Sequence, residues 1–217
     1  MAFESERQHM VADIEAGFAR TQLFTERDHL DPRVKAAMLR VPREDFVADN
    51  MRHAAFRDGA LPVGHGQTIS QPYIVALMTD LLELSDASIV LEVGTGTGYQ
   101  AAILSQLADQ VYTIEKIPEL AESARQRLIE MGCDNVETRC SDGYLGWPEK
   151  APFDAIVVTA AAAKLPAALL EQLAPGGRMV IPIGLPYAHQ ELVLVTRDPQ
   201  GEIDTREILS VAFVPMV

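Results

Sequence analysis

The sequence predicts an α/β fold: a doubly wound, mostly parallel sheet of seven strands with an antiparallel edge pair and an N-terminal helical extension. From about Ala87, near-continuous apolar segments alternate with helical segments, a pattern typical of a parallel sheet covered on both faces. The last two strand segments leave no room for a crossover helix, which predicts that they pair antiparallel at one edge. We therefore expect one domain, with helices and a loop over residues 1–84 and the sheet over residues 85–217.

The N-terminal extension is predicted from helical periodicity and capping residues. Apolar residues at helical spacing predict the first helix: Met10, Ile14 and Phe18. Asp31 followed by Pro32 predicts the start of a second helix, because aspartate favours the N-cap and proline the first helical position. A loop rich in glycine and proline covers residues 57–71, and a third helix begins at about Pro72.

The remaining elements follow from the alternation of strand and helix patterns. Strands are predicted at seven segments: 87–94, 110–115, 135–142, 153–160, 178–184, 191–198 and 208–215. Crossover helices are predicted at Tyr99–Leu107, Pro118–Met131 and Leu165–Leu173. Gly132 is expected to end the second of these helices, and residues 174–177 (APGG) are expected to form a turn before the fifth strand.

Composition disfavours several classes of partner. A net charge of −13, with no cluster of Lys or Arg to offset it, argues against nucleic acid, because an acidic surface repels phosphate backbones. No apolar run approaches the roughly 20 residues that span a bilayer, and the N-terminus lacks a secretory-signal pattern, so no membrane partner is expected. Cys133 and Cys140 lack metal-site or CxxC spacing and are expected to be reduced thiols in a cytoplasmic protein without a metal. The sequence carries no signal for oligomeric state, and a monomer is the expectation.

A glycine turn after the first sheet strand is the sharpest local motif. Gly94, Gly96 and Gly98 stand between a strand and a helix, the context in which such turns bind nucleotide ligands. Dinucleotide binding requires G-x-G-x-x-G, which places a pyrophosphate on the helix N-terminus, whereas here the third glycine comes one residue early. The spacing resembles the first motif of class I S-adenosylmethionine-dependent methyltransferases, which are Rossmann-like. Their ligand carries no phosphate.

Two acids at later strand ends strengthen this prediction. Glu115 ends the second strand, 21 positions after Gly94, where an acid accepts hydrogen bonds from ribose hydroxyls. Asp142 ends the third strand, and the resemblance implies that an acid there bonds the adenine amino group. Glu92 either reaches the cofactor or is a strand residue bonded to a neighbouring amide. The full set of predicted cofactor-binding residues is Glu92, Gly94, Thr95, Gly96, Thr97, Gly98, Glu115, Lys116, Asp142 and Gly143.

The loop at residues 61–73, LPVGHGQTISQPY, carries a second resemblance. With this block the chain closely resembles the protein-L-isoaspartate O-methyltransferase family, and the similarity runs from about Pro42 through VLEVGTGTGYQAAIL, PFDAIVVTAA and FVP to the end. The resemblance implies methyl transfer from S-adenosyl-L-methionine to the free α-carboxylate of L-isoaspartyl residues in damaged proteins and peptides. It implies that the ester then starts repair through a succinimide.

The resemblance also implies an acceptor site. It makes Ser70 the active-site serine. The residues it assigns to substrate binding are Thr68, Ile69, Gln71, Thr159, Ala160 and Ala161. From residue types alone, Ser70 is either a helix N-cap or, if Gln71 is the cap before Pro72, a residue with a free hydroxyl. His65 is expected to hold the loop by hydrogen bonding rather than to act as a base, because a carboxylate with a pKa of ~4 is already ionised.

Three other functions are less consistent with the sequence. A class I methyltransferase acting on a small molecule is disfavoured, because generic members lack the GHGQTISQP sequence. A binding module that captures isoaspartyl or C-terminal motifs without turnover is disfavoured by the complete set of cofactor residues and by Ser70. A nicotinamide oxidoreductase is disfavoured by the glycine spacing.

Overall fold

One seven-stranded sheet organises the chain, and a two-stranded hairpin precedes it. The computed structural model describes residues 3–186 and 188–216. The α-helices are α1 (Glu4–Thr25), α2 (Pro32–Arg40), α3 (Pro72–Leu81), α4 (Tyr99–Leu104), α5 (Pro118–Glu130) and α6 (Ala167–Gln172). The strands are β1 (Leu61–Gly64), β2 (Gln67–Ile69), β3 (Ile89–Val93), β4 (Gln110–Glu115), β5 (Val136–Cys140), β6 (Phe153–Val158), β7 (Leu173–Gly184), β8 (Gln190–Arg197) and β9 (Ile203–Val211). Short 3₁₀ helices lie at Arg43–Asp45, Asp49–Ala54, Gly143–Leu145 and Pro148–Lys150.

The sheet has the strand order β5-β4-β3-β6-β7-β8-β9. Neighbouring strands are parallel from β5 to β7, whereas β8 pairs antiparallel with β7 and β9 pairs antiparallel with β8. This confirms the predicted fold and the antiparallel edge pair. It also fixes the order of the last two strands, which lie side by side in their chain order.

Both faces of the sheet are covered. Successive β3 side chains point to opposite faces and pack into two different cores. Val90 packs in the core formed with α1 to α4, and Leu91 packs in the core on the opposite face with Trp147 and α6. Strands buried on both sides need apolar residues at nearly every position, which explains their continuous apolar sequences. The carboxyl ends of β3, β4 and β6 consequently meet at one edge, where open α/β sheets bind ligands.

Several predicted boundaries are confirmed and others are wrong. α2 begins at Pro32, and the Asp31 carboxylate accepts the Arg33 N–H at 2.6 Å as an N-cap. α4 and α6 are shorter than predicted, because the chain turns after Leu104 and because α6 passes directly into β7. The expected turn at 174–177 is an irregular start of β7, in which the register against β6 shifts. β9 begins at Ile203, five residues earlier than predicted, and the loop expected at 57–71 contains the β1–β2 hairpin.

Within the described residues, none of the helices combines the length and the apolar character needed to cross a membrane.

Candidate active site

The glycine turn joins β3 to α4 with three left-handed residues. Gly94, Gly96 and Gly98 have φ angles of +98°, +54° and +91°, which side chains rarely tolerate. A Cβ on Gly94 would lie 2.4 Å from the Thr159 hydroxyl, which donates to the Gly94 carbonyl at 2.6 Å. By contrast, a Cβ on Gly96 would meet no heavy atom within 4 Å. The turn is therefore closed against β6 at Gly94 and open toward a ligand at Gly96.

Glu115 ties the end of β4 to this turn. Its side chain is buried, and one carboxylate oxygen accepts the Gly96 N–H at 2.8 Å while the other accepts the Ile117 N–H at 2.9 Å. Each carboxylate oxygen has a second lone pair, so both can still accept from a ligand hydroxyl. The structure thus places Glu115 in direct contact with Gly96, and both are residues that the sequence predicts to bind the cofactor.

Asp142 and Lys116 form a pair at the ends of β5 and β4. The Lys116 ammonium lies 2.8 Å from one Asp142 oxygen, and the other oxygen accepts the Tyr144 N–H at 3.0 Å. The hydrogen bond from Lys116, followed by that from Tyr144, lowers the pKa of the Asp142 carboxyl. Gly143 packs so tightly on Val93 that a Cβ would lie 2.4 Å from its Cγ1. A ligand at this strand end would meet an ionised carboxylate with one backbone donor fixed beside it.

Glu92 lies beneath the turn rather than on its surface. It is fully buried and accepts a hydrogen bond of 2.5 Å from the Thr113 hydroxyl, which in turn lies 2.6 Å from the Thr95 hydroxyl. Its Oε1 atom has no partner among the described residues. Burial raises the pKa of Glu92 to about 8. Of the two roles left open by the sequence, the strand role is closer to the structure, although the donor is a hydroxyl rather than an amide.

The raised pKa of Glu92 predicts a specific pH dependence of stability. In the unfolded chain this carboxyl has its ordinary pKa of 4.5, so between pH 4.5 and about 8 only the unfolded state loses the proton. The free energy of unfolding therefore falls as pH rises through this window. Glu92→Gln keeps an acceptor for Thr113 but cannot ionise, so its melting temperature relative to wild type should rise from pH 5 to pH 8. Thermal unfolding of both proteins measures this, with exposed Glu6→Gln as a control. A difference that does not change with pH would contradict it.

The predicted acceptor loop is the β1–β2 hairpin and the turn that follows it. Gly64, His65 and Gly66 form the tip, with φ angles of +92°, +53° and +73°. His65 is exposed, and no hydrogen bond of its ring is found among the described residues. The expectation that His65 holds the loop by hydrogen bonding is therefore wrong. The two flanking glycines permit the tight tip, because they adopt left-handed backbone without strain.

Ser70 lies between this hairpin and α3. Gln71 is the N-cap of α3 and Pro72 is its first residue, so Ser70 is not the cap. The Gln71 amide donates to the Asp58 carboxylate at 2.9 Å. The Ser70 side chain is half-buried, and its hydroxyl has no partner among the described residues. The sequence alternative in which the Ser70 hydroxyl stays free is the one that the structure supports.

Two cavities meet at Ser70 and Thr68. A groove of about 470 Å³ is lined by Thr68, Ser70, Gln71, Ile74, Val211 and Phe213. A smaller cavity of about 30 Å³ is lined by Thr68, Ile69, Ser70, Gly94, Gly96 and Thr159. Ser70 and Thr68 thus separate the glycine turn from an open groove. This arrangement suits a reaction between a group held at the turn and a group entering from the groove.

The two alanines after Thr159 differ from it in position. Ala161 is buried, its N–H donates to the Val214 carbonyl at 2.8 Å, and its carbonyl accepts the Met216 N–H at 2.8 Å. Neither Ala160 nor Ala161 lines the groove or the small cavity. Among the predicted residues at the end of β6, the structure thus brings only Thr159 to the cavity beside Ser70.

Two arginines at this site were not identified from the sequence. Arg43 is fully buried and donates to the Ser70 carbonyl at 2.6 Å. Arg127, on α5, donates to the Thr97 carbonyl at 2.7 Å and so supports the glycine turn from outside. Both contacts join residues at least 27 positions apart. A single charged residue gives no local pattern from which such a contact could be predicted.

Comparisons with known proteins agree on one family. The family model described as protein-L-isoaspartate(D-aspartate) O-methyltransferase (PCMT) matches residues 20–217. The chain belongs to this family. Protein-L-isoaspartate O-methyltransferase 2 of Syntrophobacter fumaroxidans is 56% identical over 210 residues, covering 97% of this chain and 85% of the relative. Protein-L-isoaspartate O-methyltransferase 1 of Cupriavidus necator is 51% identical over 216 residues, covering 100% of this chain and 83% of that protein.

Solved structures of PCMT relatives share the fold. A protein-L-isoaspartate O-methyltransferase superposes with a TM-score of 0.84 at 27% identity, over 96% of this chain and 65% of that chain. A putative PCMT member from Plasmodium falciparum, in complex with S-adenosyl-L-homocysteine, superposes with a TM-score of 0.77 at 25% identity, over 94% of this chain and 97% of that chain. The PCMT chain described here is accordingly an S-adenosylmethionine-dependent methyltransferase.

The residues at the strand ends fit this cofactor. The open side of Gly96 leaves room for a ligand against the backbone, and the buried Glu115 carboxylate beside it has acceptor capacity for two hydroxyls. A site for a dinucleotide would also need donors for a pyrophosphate at the start of α4, but the Gly98 N–H there already donates to the Thr95 carbonyl at 2.8 Å. The donor and acceptor set thus suits a nucleoside without phosphates.

Proposed function

We propose that this PCMT chain transfers the methyl group of S-adenosyl-L-methionine to the free α-carboxylate of L-isoaspartyl residues in damaged proteins and peptides. The ester then starts repair through a succinimide. One observation carries the proposal: the Ser70 hydroxyl, free of protein partners among the described residues, borders both the cavity at the glycine turn and the open groove. The family names and the LPVGHGQTISQPY block support the same acceptor.

The cofactor would be held by residues at the carboxyl ends of β3, β4 and β5. Glu115 would accept from the ribose hydroxyls, Asp142 would accept from the adenine amino group, and the glycine turn would pass close to the amino-acid part. When bound, S-adenosylmethionine supplies an electrophilic methyl group on a sulfonium. Thr113 and Thr95 keep the backbone of the turn anchored to β4, so the ligand need not order it on binding.

The acceptor needs orientation rather than deprotonation. A carboxylate with a pKa of ~4 is ionised at neutral pH and needs no general base. Ser70 would donate its hydroxyl proton into a hydrogen bond with this carboxylate, with Thr68 and Gln71 along the groove. Correct alignment of two bound reactants is worth on the order of 7–11 kcal/mol. The loop at residues 61–73 contains no Lys or Arg, so the nucleophile is not held in a direct ion pair.

The thiols and the net charge bear on the cellular setting of the protein. Cys133 and Cys140 are both free thiols, which fits the reducing cytoplasm. The net charge of −13 favours protein and peptide partners over nucleic acid. We propose a single-domain monomer, and sedimentation at several protein concentrations tests that state directly.

The direct test measures radiolabelled methyl transfer from S-adenosylmethionine to a synthetic L-isoaspartyl peptide. Label should enter the peptide as a base-labile ester, and the same peptide blocked as an α-carboxamide should stay unlabelled. Small-molecule carboxylates and nucleosides at equal concentration serve as competing acceptors. Labelling of those compounds in preference to the peptide would replace the proposal with a small-molecule methyltransferase. Peptide binding without labelling would leave a binding module.

Ser70→Ala is expected to slow methylation of an isoaspartyl peptide about 10- to 100-fold. The lost hydrogen bond to a charged acceptor corresponds to roughly 1.5–3 kcal/mol. Because Ser70 belongs to the acceptor side, the affinity for S-adenosylhomocysteine should change less than twofold. Steady-state kinetics and calorimetry measure the two quantities, with exposed Ser5→Ala as the matched control. Wild-type turnover in Ser70→Ala would remove the serine from the active site.

A further inference from the structure

Arg43 is the largest of the fully buried side chains in the described part of the chain. It forms no salt bridge within 4 Å with the described acids, and Asp58 acts on its charge only through space. It lies in the 3₁₀ helix Arg43–Asp45, between α2 and the acceptor hairpin. The carboxylates that follow it in sequence pair with other arginines: Glu44 with Arg7 at 2.8 Å, and Asp45 with Arg52. Burying a guanidinium without a carboxylate partner is costly, and apolar side chains often serve stability better at such positions.

The guanidinium instead faces the acceptor loop and the start of α4. Its Nε donates to the Ala55 carbonyl at 2.8 Å and its Nη2 donates to the Ser70 carbonyl at 2.6 Å. The carbon of the guanidinium lies 4.8 Å from the centre of the Tyr99 ring, which follows the glycine turn directly. Nη1 is buried and has no partner among the described residues. One rigid, planar group therefore touches the segments that carry both halves of the site.

The acceptor loop needs a source of positive potential. The protein has a net charge of −13, and the loop at residues 61–73 contains neither Lys nor Arg. The nearest acid along the loop is Asp58, which accepts from the Gln71 side chain and from the Tyr73 N–H. An acceptor carboxylate entering the groove would thus meet a repulsive field unless a nearby cation opposes it. A buried charge is screened little by salt, so Arg43 can act through the Ser70 backbone.

We propose that Arg43 is a positioning residue for the acceptor: it fixes the backbone of Ser70 and supplies the positive charge that favours an anionic carboxylate in the groove. This inference rests on the proposed function, since it assumes that the carboxylate is bound at Ser70. It assigns two separable tasks to one side chain. The fork of donors sets the position of Ser70, and the charge sets the preference for an anion over a neutral isostere.

Three variants separate these tasks. Arg43→Met removes the fork and the charge, and Arg43→Lys keeps the charge but cannot reach both carbonyls. Arg40→Met removes one positive charge from the exposed end of α2 and controls for the change in net charge. The measurements are kcat and KM for an isoaspartyl peptide, the affinity for S-adenosylhomocysteine, and, in its presence, the affinities for the isoaspartyl peptide and its α-carboxamide analogue.

Arg43→Met should weaken binding of the carboxylate peptide at least about tenfold and binding of the carboxamide peptide less than twofold. Arg43→Lys should keep carboxylate affinity within about threefold but lower kcat about tenfold. Both should bind S-adenosylhomocysteine as wild type does, and Arg40→Met should match wild type throughout. Equal weakening of the two peptides, or an equal loss of S-adenosylhomocysteine affinity, would reduce Arg43 to a packing role and overturn the proposal.

The design keeps the outcomes apart. If Arg43→Met does not fold, Arg43→Lys alone decides, and an unchanged kcat in that variant overturns the positioning role. The peptide affinities do not depend on turnover. A wild-type protein that binds the isoaspartyl peptide but fails to methylate it would therefore contradict the proposed function, while the comparison of carboxylate and carboxamide would still test Arg43.

Discussion

Peptides with an L-isoaspartyl residue will be methylated at least about a hundredfold more efficiently, in kcat/KM, than peptides with L-aspartate at the same position. In an isoaspartyl residue the chain runs through the side-chain carbon, so the free carboxylate sits one carbon nearer the amide nitrogen. The backbone of Ser70 is held by Arg43, and the glycine turn is held by hydrogen bonds with Glu115 and Thr159, so neither segment can readily follow this change. A misplacement of about 1 Å from the reacting methyl can cost about a hundredfold in rate.

Chromatography of both peptides after incubation with S-adenosylmethionine measures this selectivity. The isoaspartyl ester should lose methanol as the following backbone amide attacks it, and the resulting succinimide should open to a mixture of aspartyl and isoaspartyl forms. Repeated cycles then enrich the aspartyl form. Equal methylation of the two peptides, or an ester that persists without conversion, would leave only a general carboxyl methyltransferase.

Gly96→Val will abolish measurable binding of S-adenosylhomocysteine, a loss of at least about a hundredfold in affinity. Gly96 lies on the open side of the turn, where a Cβ meets no protein atom within 4 Å. A valine side chain would therefore project into the space assigned to the cofactor. It would also force a β-branched residue into left-handed backbone at φ +54°, which is strained.

Gly132→Val separates these two causes. Gly132 follows α5 with φ +70°, and a Cβ there also meets nothing within 4 Å, but it lines neither cavity at Ser70. The control should lose stability from backbone strain and keep its affinity in calorimetry. If Gly96→Val unfolds, Gly96→Ala tests the same open side of the turn with a smaller side chain. Normal affinity in a folded Gly96 variant would place the cofactor elsewhere.

The centre of the sheet was predictable because strands such as β3 and β6 are buried on both faces. β4 has the bounds that the sequence predicts, since an apolar run enclosed by two cores leaves little choice of register. The start of β7 was not predictable. APGG has the composition of a turn, yet it enters the strand because its backbone pairs irregularly with β6. Residues typical of turns indicate a local backbone conformation. They do not show whether the segment pairs with a distant strand and so becomes part of a sheet.

The candidate site was predictable where the conformation of a residue is determined by its neighbours in the sequence. The glycine spacing and the proline at the start of α3 are local signals. As these signals predict, Gly96 lies in a left-handed turn and Gln71 is the N-cap of α3. His65 was misjudged because a polar residue in a loop carries no information on whether a partner comes near. Arg43 was missed because the Ser70 carbonyl that accepts its hydrogen bond is 27 positions away in the chain. Such contacts exist only after the fold has formed.

The side-by-side order of β7, β8 and β9 has a consequence for synthesis of the protein. β8 pairs with β7 and β9, and β9 pairs with β8, so each of the last two strands pairs only with its neighbours in the chain. No strand must be inserted between two that are already paired. A nascent chain leaving the ribosome can thus complete the parallel part first and then extend its border strand by strand, with short loops to close at each step. Growth of the sheet at this end follows the direction of translation.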